Sequence, residues 1–563
     1  MRNDVTERVQ PRQDERLPRH ARVLLRLSRR QLPPPVCAVT VERGLQVPAG
    51  DGAVMIADHY RPVVDEPCPT LLVRCPYGRG FPWDYIYGAL FAGQGFHVLL
   101  QSCRGTGGSG GDYEPFVHEA ADAQATVAWL RRQDWFTGGL GTIGASYLGY
   151  TQWALAADPP PELGAMVVQV GSDNFYTFLY PGGALALEAT LVGTAAMASM
   201  ERGFGRFMLA IARLLRTHKR AERGLPLIDS YPAAFGRRVG YFEEWLRHPA
   251  ADDPFWAPRR AKVAAGAVPP THLMTGWADV CLDPTLALYR RLRDAGRPVR
   301  LLVGPWNHAS GFNADMPTVF GESLGWLRAY LLGDSGGLPR RPARVWVNAI
   351  GAPGEWRDLA DWPPPDASVT AWHLRGDGTL SAAAGTGIWV SSFRYDPASP
   401  TPSVGGPSMD SRAAKPRRNN ALEARGDVLV FTSEPFSAPV DVIGPVSIRL
   451  RARGSGPHFD VFARLCDVDE RGRSWNVCDG LVRVRDGSHW SEITVPMSAT
   501  AHRFGAGHRL RVQVSGGAHP RFMRNTGTGE PPATATRLVP VDISIGGGVL
   551  SLPAAHGQLP GIA

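Results

Sequence analysis

Between about Val36 and Ser172, short apolar runs alternate with stretches of helical period. Thr70-Leu71-Leu72-Val73-Arg74-Cys75, His97-Val98-Leu99-Leu100-Gln101, Gly141-Thr142-Ile143-Gly144 and Ala165-Met166-Val167-Val168-Gln169-Val170 have strand length and little in-out alternation. Tyr85 to Gly93 and Glu119 to Gln133 read as helices, the latter with Ala121, Ala125, Ala128 and Trp129 facing inward. A further helix starts at Tyr147. Strands without alternation are buried on both faces, so this order predicts a parallel sheet covered by helices on each side.

The pattern changes at about Asn174. From there to Arg260 no strand is evident, and helical stretches occur at Leu185 to Met200, Arg206 to Thr217 and Tyr241 to Leu246. The sheet pattern then resumes with Pro270 to Thr275, a helix from Asp283 to Ala295, and Val299 to Val303. A βα connection needs only a handful of residues, so the helical block reads as a cap over the active site. From Pro342 onward, segments such as Val446-Ser447-Ile448-Arg449-Leu450 and Arg509-Leu510-Arg511-Val512-Gln513-Val514 alternate apolar and polar between turn residues. This predicts a β-sandwich or jelly roll. Asp469-Glu470-Arg471-Gly472 reads as a solvated hairpin turn.

The expected divisions are a basic N-terminal arm over 1–35, a catalytic domain over 36–173 and 261–341, a helical cap over 174–260, and a C-terminal β domain over 342–563. The formal charge of +8 leans on arginine, and its densest stretch is Arg16 to Arg30. Elsewhere the basic residues are interleaved with acids, and no RNA-binding or zinc-finger pattern occurs, so nucleic acid is not an expected partner. The arm reads as frayed, with one short amphipathic helix ended by Pro33-Pro34-Pro35. Val23-Leu24-Leu25 is broken at once by Arg26, so no signal peptide is expected, and no apolar run is long enough to predict a membrane span. Seven scattered cysteines without a C-x-x-C pair fit reduced thiols in the cytoplasm, and offer no metal-ligand spacing. No cofactor or metal is expected. A monomer and a homodimer are both compatible with the sequence.

The candidate chemistry begins at Gly144-Ala145-Ser146-Tyr147-Leu148-Gly149, between a predicted strand and a predicted helix. A sharp strand-to-helix turn of this kind presents a serine nucleophile. The closing glycine stands three residues after Ser146 rather than two, with Leu148 in the usual place. The start of the helix puts the Tyr147 amide where an oxyanion would develop. Serine is a poor nucleophile without a base to take its proton, and that base needs a carboxylate to hold its tautomer. In an α/β-hydrolase the acid and histidine follow the serine on loops at strand ends. Asp279, after Gly276-Trp277-Ala278, and His308, after Gly304-Pro305-Trp306-Asn307, fit that order. Asp283 is the lesser candidate because Asp283-Pro284 reads as a helix start. His272, His97, His118 and His248 lie in or beside regular elements and read as structural. Tyr77, in Pro76-Tyr77-Gly78 after the first strong strand, is either a second oxyanion donor or a packed turn residue.

These motifs, with Arg104-Gly105-Thr106-Gly107-Gly108-Ser109-Gly110, Trp356-Arg357-Asp358, Trp362-Pro363-Pro364-Pro365, Tyr395-Asp396-Pro397 and Pro520-Arg521-Phe522, resemble the cocaine esterase-like (CocE/NonD) hydrolases of the X-Pro dipeptidyl-peptidase (S15) superfamily. The resemblance runs from about Val41 to the C-terminal region. It implies an α/β-hydrolase core with an inserted helical cap and a C-terminal β jelly-roll domain. It also implies acyl-enzyme chemistry on a small-molecule ester or amide, and it assigns the Tyr77 hydroxyl and the Tyr147 amide to the oxyanion hole.

There are departures from the family pattern. Ser102 stands where an acid usually precedes the Arg104 motif, so a loop-bracing ion pair to Arg104 is not expected. Cys281 replaces a larger aromatic, which predicts a roomier pocket, and the arginine-rich arm has no family counterpart. Two other activities fit the same residues. One is acyl transfer to an amine or alcohol. The other is an aminopeptidase that anchors an ammonium on Asp173, Glu243, Asp252 or Asp253.

Overall fold

The computed structural model describes residues 12–28, 30–200, 209, 217, 221–311, 315–385 and 387–555. The catalytic sheet is built from β1 (Arg12–Arg16), β2 (Ala38–Pro48), β3 (Val54–Val63), β4 (Thr70–Cys75), β5 (His97–Ser102), β6 (Leu140–Ala145), β7 (Leu163–Gln169), β8 (Thr271–Ala278), β9 (Val299–Asn307), β10 (Ala343–Ala349) and β11 (Glu355–Leu359). Pairing gives the order β1-β2-β3-β5-β4-β6-β7-β8-β9-β10-β11. The strands from β5 to β10 in that order are parallel, and the edges are antiparallel. Every residue of β4, β5 and β6 is buried, as their unbroken apolar runs require.

The main helices among the described residues are α1 (Arg19–Ser28), α2 (Glu119–Leu130), α3 (Tyr147–Ala156), α4 (Phe175–Leu179), α5 (Leu187–Met200), α6 (Leu227–Phe235), α7 (Gly240–Arg247), α8 (Leu282–Asp294) and α9 (Met316–Leu332), with a π-helical turn at Asp84–Ala89. Helices α4 to α7 lie in the block between β7 and β8. The helix expected over Arg206 to Thr217 falls, apart from Leu209 and Thr217, outside the described residues.

The C-terminal part is two packed antiparallel sheets. One carries β12 (Ser368–Leu374), β13 (Leu380–Ser381), β14 (Ser391–Tyr395), β16 (Val440–Gly454), β19 (Ser491–Phe504) and β21 (Val541–Ala555). The other has β15 (Val428–Thr432), β20 (Arg509–Ser515), β17 (Phe459–Val468) and β18 (Ser474–Val484) in that order. Their facing side chains, among them Phe393, Ile448, Val461, Val495 and Val512, form one core, as a jelly roll requires. The division expected at 341/342 falls just before a shared strand. β10 pairs in parallel with β9 through Ala343–Val345 and with β19 through Asn348–Ala349.

Three expectations need correction. In α2 the buried face is Glu119, Asp122, Ala123, Thr126, Val127, Trp129 and Leu130, while Ala121 and Ala128 are exposed. Apolar periodicity failed there because two carboxylates on the inward face meet the buried Arg74, at 3.0 Å from Glu119 and 3.6 Å from Asp122. Over its described residues, 12–28 and 30–35, the arm is docked rather than frayed. β1 pairs with β2, and Leu17, Ala21 and Leu32 are buried against the catalytic domain. Arg104 is braced after all, at 2.6 Å from both Asp122 and Asp51, and Ser102 instead accepts a hydrogen bond from Arg79. Distant acids supply the charge that the local motif lacks.

Candidate active site

Four of the five predicted site residues stand at the carboxyl ends of parallel strands, where loops can converge, and Tyr147 opens the helix beside them. Tyr77 is two residues past β4, Ser146 follows β6, Asp279 follows β8 and His308 follows β9. The last two strands continue through the glycine-containing segments that the sequence suggests are loops, so Asp279 and His308 are held directly by the sheet.

Ser146 sits at the junction of β6 and α3 with φ 59° and ψ −119°. Such a conformation costs a non-glycine residue about 1–3 kcal/mol and persists only where neighbours enforce it. The enforcing contacts are visible. The Ser146 amide donates to the Gln169 carbonyl at 2.9 Å, and the Gly149 amide donates to the Ser146 carbonyl at 2.8 Å. A Cβ at Gly144 would lie 2.4 Å from the Leu148 Cβ, and one at Gly149 would lie 3.1 Å from the Gly171 Cα. Leu148 in the usual glycine position is therefore accommodated by Gly144, and Gly149 lets α3 approach the segment after β7.

The structure brings the predicted trio into one hydrogen-bonded line. His308 Nε2 is 2.9 Å from Ser146 Oγ, and His308 Nδ1 is 2.8 Å from Asp279 Oδ1. Asp279 is buried, and its carboxylate also accepts from Thr275 Oγ1 at 2.7 Å and from the Cys281 amide at 3.1 Å. Asp283, the rival acid, is elsewhere engaged, accepting from Ser498 Oγ at 2.9 Å. His272 is buried within β8 beside Glu322, and His97 contacts His59, so neither reaches the serine. Asp279, Cys281 and His308 also present donor atoms within 4.8 Å of one another, the one such group found among the described residues.

Tyr77 points its hydroxyl toward the Ser146 side chain and the Tyr147 amide, and burial raises its pKa so that it remains an O–H donor. The Tyr147 ring is pinned away from the reaction centre. Its hydroxyl donates to Glu119 at 2.8 Å and accepts from the Phe116 amide at 2.9 Å, leaving the backbone N–H to face Ser146's surroundings. Glu119 thus links Arg74 to Tyr147, a support that no motif announces.

Ser146 and His308 open into a cavity of about 1090 Å³. Its wall includes Phe116, Tyr150, Phe175, Phe178, Trp245 and, from the C-terminal part, Met409. Sequence reading missed this aromatic wall, because its members come from separate loops and cap helices. Asp58 is the one carboxylate among the described lining residues, and it is paired with Arg79 at 3.2 Å and Arg43 at 3.1 Å. The four candidate ammonium anchors do not line it. Asp173 binds Arg291, Glu243 binds Arg238 and Arg247, Asp253 binds His248, and Asp252 is exposed.

The fold and the arrangement of these groups are those of a serine hydrolase of the α/β-hydrolase class. Comparisons with known proteins agree. The profile of the X-Pro dipeptidyl-peptidase (S15 family) matches residues 51–310, and that of the X-Pro dipeptidyl-peptidase C-terminal non-catalytic domain matches residues 338–549. The cocaine esterase of Rhodococcus sp. is 32% identical over 541 residues, covering 87% of this chain and 93% of that protein. Among solved structures, an aminopeptidase from a marine sediment Thaumarchaeota archaeon superposes with a TM-score of 0.77 at 21% identity, covering 91% of this chain and 96% of that one. An α-amino acid ester hydrolase superposes with a TM-score of 0.76 at 21% identity, covering 92% and 97%. The chain belongs to the S15 family, in its cocaine esterase-like (CocE/NonD) group, and is a hydrolase of ester or amide bonds.

Proposed function

We propose that this chain hydrolyses small-molecule esters with an uncharged, aromatic or similarly bulky acyl group, through an acyl-enzyme on Ser146. The observation that carries the reading is the unbroken line from Asp279 through His308 to Ser146, at 2.8 Å and 2.9 Å, opening on an aromatic cavity. His308 takes the serine proton as the hydroxyl attacks the carbonyl, and Asp279 holds the ring with Nε2 toward the serine. The Tyr77 hydroxyl and the Tyr147 amide donate to the oxyanion. His308 then protonates the leaving group, and water repeats the cycle on the acyl-enzyme. Nothing in the described lining offers an unpaired carboxylate to an ammonium, which favours a neutral ester over an N-terminal peptide. A relative bearing the name cocaine esterase fits this preference. Seven free cysteines support a cytoplasmic location.

The test is a panel of p-nitrophenyl esters set beside X-Pro p-nitroanilides. Benzoyl and phenylacetyl esters are expected to turn over fastest, and Ser146→Ala to abolish turnover and fluorophosphonate labelling. Labelling of that variant at the normal rate would end the assignment, and a preference for X-Pro amides would overturn the substrate class.

A further inference from the structure

The N-terminal arm has a surface that the hydrolytic reading does not use. Helix α1 turns Ala21 inward and packs Leu24 and Leu25 onto the catalytic core. At 100° per residue, Arg22, Arg26 and Arg19 then fall within about 60° of arc on the outer side, and Val23 and Leu27 fall within about the next 80°. Val23 is 52% exposed and Leu27 68%. Arg16, Arg19, Arg22, Arg26 and Arg30 are all exposed, and none forms an ion pair with a described side chain. Elsewhere many arginines, such as Arg104, Arg131, Arg300 and Arg483, are held by carboxylates.

The stripe adjoins the cavity. His20, on the same side of α1 as Leu27, is 2.7 Å from Asp84 and meets the ring of Phe81 edge-on at 5.6 Å. Phe81 is 39% exposed and, with Pro82 and Trp83, lines the cavity that holds Ser146. A basic stripe, an apolar stripe and the cavity rim are thus laid side by side.

We propose that α1 and its flanking arginines form a docking surface for an anionic phospholipid membrane, placed beside the mouth of the cavity. The arginines alone would suit any polyanion. Val23 and Leu27 decide between them, because a bilayer interface accepts apolar side chains next to cations, whereas a nucleic-acid backbone offers nothing to an exposed valine or leucine. The contact is peripheral and requires no spanning segment. Docked in this way, the enzyme would draw lipid-soluble esters from the interface.

The experiment is sedimentation of the full chain with phosphatidylglycerol-containing vesicles, with pure phosphatidylcholine vesicles as reference. The chain is expected to pellet with the anionic vesicles and to be released by salt. Charge reversal in R22E/R26E is expected to weaken partitioning by about 30-fold or more, and V23S/L27S by several-fold. Turnover of a p-nitrophenyl ester by each variant reports that it is folded. S146A is expected to sediment like the wild type, so loss of vesicle binding and loss of the hydrolytic reading are separate results. The proposal is overturned if the wild-type chain ignores anionic vesicles, or if neither pair of substitutions changes sedimentation. It is also overturned if V23S/L27S leaves vesicle binding intact while a DNA duplex competes with equal dependence on Arg22 and Arg26, which would make the arm a nucleic-acid surface.

Discussion

His308 Nδ1 stands 2.8 Å from a carboxylate oxygen of Asp279 that is buried from water and already accepts from the Cys281 amide. The pair fixes which ring nitrogen faces Ser146. Asp279→Asn keeps the shape but can present an amide N–H to the ring and reverse its tautomer. We expect kcat to fall on the order of 10³–10⁴-fold with the fold intact, measured by ester turnover together with thermal unfolding. A fall below tenfold would show that the ring is oriented by other contacts.

Tyr77 tests the oxyanion assignment. Tyr77→Phe removes the hydroxyl but retains the ring stacked near Trp83, whose centroid is 5.7 Å away. The expected loss is about 10²–10³-fold in kcat with little change in KM, because the donor acts on charge that develops in the transition state. An equal change in KM alone would make Tyr77 a ground-state contact.

The tight turn at Ser146 has its own signature. Gly144→Ala would put a Cβ 2.4 Å from that of Leu148. We expect a loss of about 1–3 kcal/mol in urea unfolding and a large loss of activity. Gly144→Ala with Leu148→Gly, which removes the clashing Cβ, should recover much of the activity lost by Gly144→Ala alone. If the double variant is no better, the clash is not the reason for the glycine.

Acid stability follows from buried histidines. Burial pushes His59 down to about 2, helped by the charges of His97 and Arg61; burial and Arg61 push His97 down to about 4; burial pushes His272 down to about 3. Each is neutral when folded and takes a proton near the usual value of about 6.5 when unfolded. The unfolded chain therefore binds more protons between about pH 6.5 and 4, and stability falls as pH drops through that window. Tm measured from pH 7.5 to 4 should decline, and His272→Phe should flatten the decline. An unchanged slope in that variant would mean His272 titrates alike in both states.

The aromatic cavity wall shows where sequence reading stops. Phe116, Phe175 and Trp245 lie in a loop, a short helix and the cap helix α7, and no spacing links them. The same holds for Glu119, which apolar periodicity places wrongly because its partners, Arg74 and Tyr147, are distant in the chain. Ser146, Asp279 and His308 were legible because each lies at a strand end, and a strand end carries a local signature of apolar run followed by glycine and loop residues.

The sequence by itself determined the alternation of strands and helices from Thr70 onward, the strand-to-helix turn that presents Ser146, the positions of Asp279 and His308, and the excess of arginine in the arm. These depend on side-chain type and short-range periodicity, which act along the chain. Only the tertiary structure decided that the three groups touch, that Arg104 finds Asp51 and Asp122, that the cavity is aromatic with the one carboxylate of its described lining paired, and that α1 docks with its arginines outward beside Phe81. Those outcomes depend on distances between residues remote in sequence, which are set by how whole layers pack.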